Sequence, residues 1–461
     1  MIPATPYKGQ KVGVFGLGKA GEASVAALTA GGAEVFAWDD KHQAQGVRNK
    51  ATEKDDLSPV TCHLSPYADW PWQELKALVL APGVAKTHVC AQLAQRHNVP
   101  IIGDIEILFQ SQPEARYIGI TGTNGKSTTT TLIGHILQEA GVRCEVGGNL
   151  GTAALSLAPL GADGIYVLEL SSYQLDLIHT TRFNVAVLLN ITPDHLDRHG
   201  DMAGYIAAKK HIFERQTADD VAIIAVDDEY TRQVAEDRCQ ASDAAVIKVS
   251  AGQKADGGVY VLDGLLSDTC HLPPATYDIS QISSLTGQHN WQNAAVAYAA
   301  ARACGVSPEK IIAAMRSFPG LRHRLQLVKT IDGVRFINDS KATNADAVQH
   351  ALKPYKNIYW IAGGKAKSGG IESLAPLFGH IARAYLIGEA EDMFAGTLEG
   401  KVNYVCCGTL ENAVKHAAED AFREKKQDAV VLLSPACASF DQFTSFEHRG
   451  DVFCELVEGL G

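Results

Sequence analysis

Short, continuous apolar runs alternate with amphipathic stretches along most of this chain. Residues 11–15, 33–38 and 75–80 are such runs, and residues 21–29 carry helical spacing between the first two. Runs this short, without polar alternation, predict strands buried on both faces, and strands alternating with helices predict a parallel, doubly wound sheet. The pattern restarts near Asp104. A strand at 117–120 leads into a glycine loop and then a helix with Leu132, Ile133, Ile136, Leu137 and Ala140 as its apolar positions. Gly141 reads as the stop of that helix. Runs at 165–170, 185–189 and 221–226 predict further strands of the same sheet, and the turn-rich stretch 251–282 predicts a small antiparallel element. Phe318-Pro319-Gly320-Leu321 reads as a linker, because proline and glycine break the preceding helix. Beyond it, strands are predicted at 335–337, 358–361, 384–387 and 429–433.

Length agrees with this punctuation. At 461 residues the chain exceeds one hydrophobic core, and usual domain sizes suggest about three. The reading is α/β with three domains: 1–103, Rossmann-like; 104–318, a central parallel-sheet domain; and 319–461, again Rossmann-like. A net charge of -11 argues against nucleic acid as the main partner, since phosphate backbones call for a basic footprint. No apolar run reaches the roughly 20 residues that span a bilayer. Residues 1–8 lack the apolar core of a secretion signal. Ten cysteines lie scattered without a Cys-x-x-Cys pair, and Cys406-Cys407 are placed at the end of a strand. Buried free thiols in a reducing compartment suit them better than disulfides or zinc. The expected location is cytoplasmic.

Two glycine loops carry the first chemistry. Gly122-Thr123-Asn124-Gly125-Lys126-Ser127 lies between a strand and a helix, where backbone N–H groups and the helix terminus attract an anion. Lys126 can reach terminal phosphates and Ser127 can bind magnesium. Ile120 stands where a strict P-loop has glycine, so the spelling is partial; the alternative is a plain turn with an exposed lysine. Gly16-Leu17-Gly18-Lys19-Ala20-Gly21 also joins a strand to a helix, and Asp39 ends the next strand. Alone, that predicts a dinucleotide-dependent oxidoreductase. Physically it requires less: any nucleotide diphosphate fits the loop, and Asp39 or Asp40 can accept from a ribose-type hydroxyl.

Acids and a histidine follow at strand ends of the central domain. Glu169 lies in Leu168-Glu169-Leu170-Ser171-Ser172, and Asp194-His195-Leu196-Asp197-Arg198-His199 follows the next strand. Parallel sheets gather ligand groups at their carboxyl ends, so a magnesium site is one reading and a solvated loop the other. Lys209 and Lys210 lie on a helix, and composition alone reads both as solvent-facing.

Together these features resemble the Mur ligase family over nearly the whole chain. Its central motifs are the loop through Thr128, Glu169-Leu170-Ser171-Ser172, Asn190-Ile191-Thr192-Pro193-Asp194-His195, Ala207-Ala208-Lys209 and Gly287-Gln288-His289-Asn290. Its carboxyl motifs are His323-Arg324, the segment from Asn338 to Asn344, and Ser434-Pro435-Ala436-Cys437-Ala438-Ser439. The Asn338–Asn344 segment and the tail Ser439-Phe440-Asp441-Gln442-Phe443 resemble the branch that uses D-glutamate.

The resemblance implies a cytoplasmic, monomeric ligase that joins D-glutamate to UDP-N-acetylmuramoyl-L-alanine, using ATP and two magnesium ions, through an acyl phosphate. It implies that Gly122, Thr123, Asn124, Gly125, Lys126, Ser127, Thr128, Asn290, Arg324, Asp339 and Lys341 bind ATP. Ser127, Glu169, His195 and Lys209 would hold the metals, with Lys209 carbamylated so that it presents anionic oxygens. Lys126, Lys209, His195 and Arg324 would be catalytic. Leu17, Gly18, Asp39, Gly83 and Asn149 would contact the UDP-linked substrate, which displaces the dinucleotide reading. Thr343, Lys367, Ser434 and Phe443 would hold D-glutamate, Lys367 being the better match in Gly363-Gly364-Lys365-Ala366-Lys367-Ser368. The carboxyl domain is expected to close as a rigid body about residues 318–321. The alternatives are a sibling ligase with another amino acid or a folate acceptor, and, more remotely, an NAD-dependent oxidoreductase.

Overall fold

Three predominantly parallel sheets follow one another along the chain. The computed structural model describes residues 1–40, 62–241, 243–366 and 370–460. In chain order the strands are β1 (Lys11–Phe15), β2 (Glu34–Trp38), β3 (Cys62–Leu64), β4 (Leu75–Leu80), β5 (Ile101–Ile102), β6 (Arg116–Thr121), β7 (Cys144–Gly148), β8 (Ile165–Glu169), β9 (Val185–Leu188) and β10 (Val221–Ala225). They continue as β11 (Ala245–Ser250), β12 (Val259–Leu262), β13 (Leu265–Asp268), β14 (Ala275–Asp278), β15 (Gln326–Ile331), β16 (Val334–Asn338), β17 (Ile358–Gly363), β18 (Ile381–Ile387), β19 (Tyr404–Gly408) and β20 (Val430–Leu433).

The first sheet has the order β3-β2-β1-β4-β5 and is parallel throughout. The second has the order β14-β13-β12-β11-β10-β9-β6-β8-β7. Its strands are parallel up to β12 and antiparallel from there to β14. The stretch expected as a small antiparallel element is antiparallel from β12 to β14 and forms the edge of the central sheet, joined to it by the pairs Val249–Val259 and Ser250–Tyr260. The third sheet has the order β15-β16-β20-β17-β18-β19, with only β15 antiparallel.

The described chain divides into two compact units, Met1–Phe318 and Pro319–Gly461, at the expected proline-glycine break. Within the first unit, two sheets share one hydrophobic cluster. It runs from Val12 and Val14 through Ile105 and Leu108 to Tyr166 and Leu168. Segment 101–112 is therefore a packed connector between them.

Glu106 fastens that connector. It is fully buried on the helix Asp104–Ser111, and its carboxylate accepts from the backbone N–H groups of His179, Thr180 and Thr181 and from both threonine hydroxyls. Burial raises the acid's pKa, but hydrogen bonds from Thr180, His179 and Thr181 outweigh it and hold the group below the ordinary carboxylate range. A depressed folded pKa means the contribution is present above the unfolded value, near 4.5, and fades as pH falls through the folded value. Glu106→Gln is expected to cost about 2–3 kcal/mol at neutral pH, with the gap from wild type closing below about pH 4.5, as read by urea unfolding across pH.

All ten cysteines are free thiols, but the expectation that they are buried holds for Cys90, Cys407 and Cys437 and fails for Cys62, Cys239 and Cys406, which are exposed. Cys406 and Cys407 sit within β19, where alternation sends one outward and one inward. Among the described residues, no helix is long and apolar enough to cross a membrane.

Candidate active site at the phosphate loop

β6 is flanked by β8 and β9, and the three carboxyl ends open onto one place. The loop after β6 needs its glycines. Gly122 has φ +153° and Gly125 φ +83°, backbone that side chains rarely adopt. A Cβ at Gly122 would lie 2.9 Å from Leu189 Cβ, and one at Gly125 would overlap Asn293 Oδ1. Gly125 immediately precedes the helix Lys126–Glu139, whose free N–H groups face the loop. Gly125→Ala is expected to raise the KM for ATP about tenfold or more and to cost about 1–3 kcal/mol in stability, measured by initial rates and thermal unfolding.

Two ammonium groups converge on this loop. Lys126 Nζ donates to Gly122 O at 2.9 Å and to Thr123 O at 2.8 Å. Lys209 Nζ donates to the same Gly122 O at 2.9 Å and to Thr121 Oγ1 at 3.4 Å. Lys209 is 1% exposed, so composition misplaces it when it reads both lysines as solvent-facing; only Lys210 is outward, pairing with Asp237 at 3.4 Å. Burial first, and then the Lys126 charge, push the Lys209 amine down to about 7. A neutral amine is thus readily reached at ordinary pH.

The acid stands on the strand beside β6. Glu169, at the end of β8, is 3% exposed. Its Oε2 accepts from Ser127 Oγ at 2.7 Å and its Oε1 from Asn149 Nδ2 at 2.9 Å. Ser127 and Glu169 are therefore adjacent hard oxygen donors, the set a magnesium ion prefers. As an ammonium, Lys209 does not fit a cation site; as a carbamate it would. His195 has φ +52° and a half-exposed ring, 3.5 Å from Asp194 and 5.0 Å between centroids from Tyr173. Thr128 lies in the first turn of the Lys126–Glu139 helix. Asn124 N donates to Asn190 Oδ1 at 2.7 Å, tying the loop to the strand end of β9.

Several contributors escaped the sequence reading. Asn293 accepts from Thr129 Oγ1 at 3.1 Å and donates to Asn290 Oδ1 at 3.3 Å, so it carries Asn290 toward the loop. Its position three residues after Asn290 on one helix face was the available signal. An aromatic chain joins the segments after β8 and β9 to the glycine loop: Tyr173 stacks on His199 at 5.6 Å, His199 meets Tyr205 at 5.5 Å, and Tyr205 Oη lies 3.2 Å from Thr123 Oγ1. Burial lowers the His199 pKa, and the ring contacts Ser172 Oγ at 2.9 Å through Nε2.

The first sheet supplies a second glycine loop. Gly16 has φ +93°, and a Cβ there would lie 2.7 Å from Ala81 Cβ; one at Gly21 would overlap Gly16 O. Gly18 and Gly83 face open space, leaving room for a ligand. Asp39 Oδ2 accepts from Leu17 N at 2.7 Å, so the acid also braces the loop. Two cations bridge this region to the central sheet. Arg198 Nη2 donates to Val84 O at 2.5 Å while its guanidinium lies 4.8 Å over Tyr173, and Lys86 Nζ donates to Asp176 O at 2.6 Å.

In the second unit, Asp339 follows β16. Leu325 N donates to its Oδ1 at 3.2 Å and Ser434 Oγ to its Oδ2 at 2.7 Å. Burial pushes its carboxyl up to about 7. Ser434 is wholly buried with its hydroxyl engaged by Asp339. Arg324 is exposed, and Lys341 and Thr343 are half-buried on the loop after Asp339. Phe443 packs on the cluster beneath the helix Phe446–Glu458, 5.6 Å from the His448 ring. Lys367 lies outside the described residues; Lys365 pairs by backbone with Ala438.

The Mur ligase MurD-like N-terminal domain matches residues 10–103, the Mur ligase middle domain 120–301 and the Mur ligase glutamate ligase domain 323–437. The UDP-N-acetylmuramoylalanine–D-glutamate ligase of Rhodospirillum rubrum is 51% identical, over 100% of this chain and 97% of that protein. Those of Paramagnetospirillum magneticum and Caulobacter vibrioides are 49% and 47% identical, over 100% of this chain and 99% and 98% of theirs. The solved UDP-N-acetylmuramate–alanine ligase of Thermotoga maritima shares the fold at 15% identity, with a TM-score of 0.56 over 98% of this chain and 100% of that one. With full-length relatives at about half identity and the ligase motifs at the ends of its strands, the chain belongs to the Mur ligase family.

Proposed function

We propose that this chain is a cytoplasmic, monomeric enzyme that joins D-glutamate to UDP-N-acetylmuramoyl-L-alanine at the expense of ATP, a step in making the peptidoglycan precursor. The full-length likeness to ligases of that name supports the substrates. The observation that carries the chemistry is the buried Lys209 amine sharing Gly122 O with Lys126 at the glycine loop, whose following residue Ser127 bonds Glu169.

A carboxylate is a poor acyl donor because oxide is a prohibitive leaving group. In the proposed reaction an oxygen of the alanyl carboxylate attacks the γ-phosphorus of ATP. The bond to the β–γ bridging oxygen breaks, ADP leaves and an acyl phosphate remains. The neutral amine of D-glutamate then adds to the acyl carbon, the tetrahedral adduct expels phosphate, one amine proton is released and the amide stands. Two anions meet in the first step, so screening is the main requirement. Lys126 is the fixed cation for that purpose, and Arg324 of the second unit a further one.

Ser127 and Glu169 would hold one magnesium ion, and His195 with carbamylated Lys209 a second; such ions, when bound, neutralise phosphate charge. Carbamylation forms an N–C bond between the neutral Lys209 amine and carbon dioxide, with loss of one amine proton. Gly18, Leu17, Asp39, Gly83 and Asn149 would receive the UDP-linked substrate, with the diphosphate on the helix after the first glycine loop. Asn290, Asp339 and Lys341 complete the ATP set in this reading, and Thr343, Ser434, Phe443 and Lys367 the D-glutamate set.

The test is phosphate release with ATP and UDP-N-acetylmuramoyl-L-alanine, offered D-glutamate, L-glutamate, L-alanine or meso-diaminopimelate in turn. Release with D-glutamate alone is expected. Release with another amino acid and none with D-glutamate would reassign the chain to a sibling activity.

A further inference from the structure

Far along the central sheet from the phosphate loop, at its antiparallel edge, three chemically different metal-ligating groups meet. Asp268 ends β13, and Cys270 and His271 lie in the connection to β14. Cys270 Sγ is 3.2 Å from Asp268 Oδ1 and 3.3 Å from His271 Nδ1, and Nδ1 is 2.8 Å from Asp268 Oδ2 and 3.1 Å from Oδ1.

Those separations can be compared with a coordination tetrahedron. Zinc bonds of about 2.3 Å to sulfur and about 2.0–2.2 Å to nitrogen and oxygen place the ligand atoms about 3.3–3.6 Å apart. The triangle here is a few tenths of an ångström tighter, as expected while protons bridge its corners, so little rearrangement separates the two states. The donor set is carboxylate oxygen, thiol sulfur and imidazole nitrogen. It suits a borderline cation of the zinc class and is wrong for magnesium, which takes oxygen.

The carboxylate is also braced from behind, as metal ligands usually are. Asp268 is 2% exposed, and its Oδ2 accepts from the buried Tyr298 Oη at 3.1 Å, with Arg302 Nε at 4.0 Å. Oδ1 accepts from the backbone N–H groups of Cys270 at 3.1 Å and His271 at 3.2 Å, which fix it toward Cys270 Sγ, while Cys270 and the imidazole are partly exposed, which leaves a way in for an ion. The Arg302 charge weakens such a site without closing it.

We infer that Asp268, Cys270 and His271 form a three-ligand site for a zinc-class divalent cation, separate from the nucleotide site, with its fourth position open to water. Binding releases the Sγ proton to solvent and takes the Nδ1 lone pair of the tautomer protonated on Nε2. The ion would pin the β13–β14 connection to the sheet edge through Asp268.

Cobalt(II) titration of the full, reduced chain tests this, because a thiolate on tetrahedral cobalt gives a near-ultraviolet charge-transfer band and intense visible bands. One equivalent is expected to produce both, to resist millimolar magnesium, and to be displaced by zinc. Cys270→Ser should abolish the charge-transfer band, while Cys406→Ser, which changes an exposed thiol outside the cluster, should keep it. Zinc should raise the thermal midpoint of the wild type but not of His271→Ala, and circular dichroism checks that each variant is folded. Absence of the band in the wild type, or its survival in folded Cys270→Ser, would overturn the site.

Discussion

Lys209→Ala is expected to lower ligase turnover about 10³-fold or more, with partial recovery on adding short carboxylic acids such as formate or acetate. The amine lies 2.9 Å from Gly122 O in a pocket shared with Lys126, and an added acid can place a carboxylate where the carbamate would sit. Stability should move the other way. The folded amine titrates near 7, whereas the unfolded one titrates near 10.5. Charging the buried group therefore opposes folding, fully below pH 7 and progressively less as pH rises toward 10.5. Lys209→Met removes that penalty, on the order of 4 kcal/mol at pH 6 for the unmodified amine. A thermal midpoint that rises at pH 6 and changes little near pH 10, in a variant with no turnover, is the expected pair of results. Full activity in Lys209→Ala without added acid would remove the residue from the mechanism.

The second large effect is expected at Glu169. Its two oxygens accept from Ser127 and Asn149, so Glu169→Gln puts an N–H donor against one of these donors and removes the anion. The kcat/KM for ATP should fall about 10²–10³-fold, with half-saturation by magnesium shifted upward by about tenfold or more. Rates measured across a magnesium series separate the two components. A variant whose magnesium dependence matched wild type would place the ion elsewhere.

Legibility in the sequence followed burial. β6, β8, β9 and β10 are buried almost throughout and read as plain apolar runs. β7 went unread because Gly147 and Gly148 suggest a turn. In the fold those glycines allow close approach: a Cβ at Gly148 would overlap Glu169 O. β15 is a half-exposed edge with polar residues on both faces, so neither period emerges from it. At the site, Gly122, Gly125, Lys126 and Ser127 were legible because backbone conformation and phosphate chemistry restrict the residue types. The burial of Lys209 was not, since a lysine on a short amphipathic helix ordinarily faces water. There the family resemblance pointed inward before the geometry did. Tyr173, His199 and Tyr205 meet only through tertiary packing, and no sequence spacing encodes it.

Arg198 and Lys86 both grip main-chain oxygens, Val84 O and Asp176 O, rather than side chains. Those two hydrogen bonds, between the loop after β4 and the segments after β9 and β8, thus do not depend on which side chains stand at 84 and 176. Recoding the side chains at 84 and 176 would therefore leave both anchors in place, while giving up the apolar packing of Val84 and the 3.8 Å pair of Asp176 with His199. A seam anchored on the backbone in this way tolerates drift at its side chains better than one built of side-chain pairs alone.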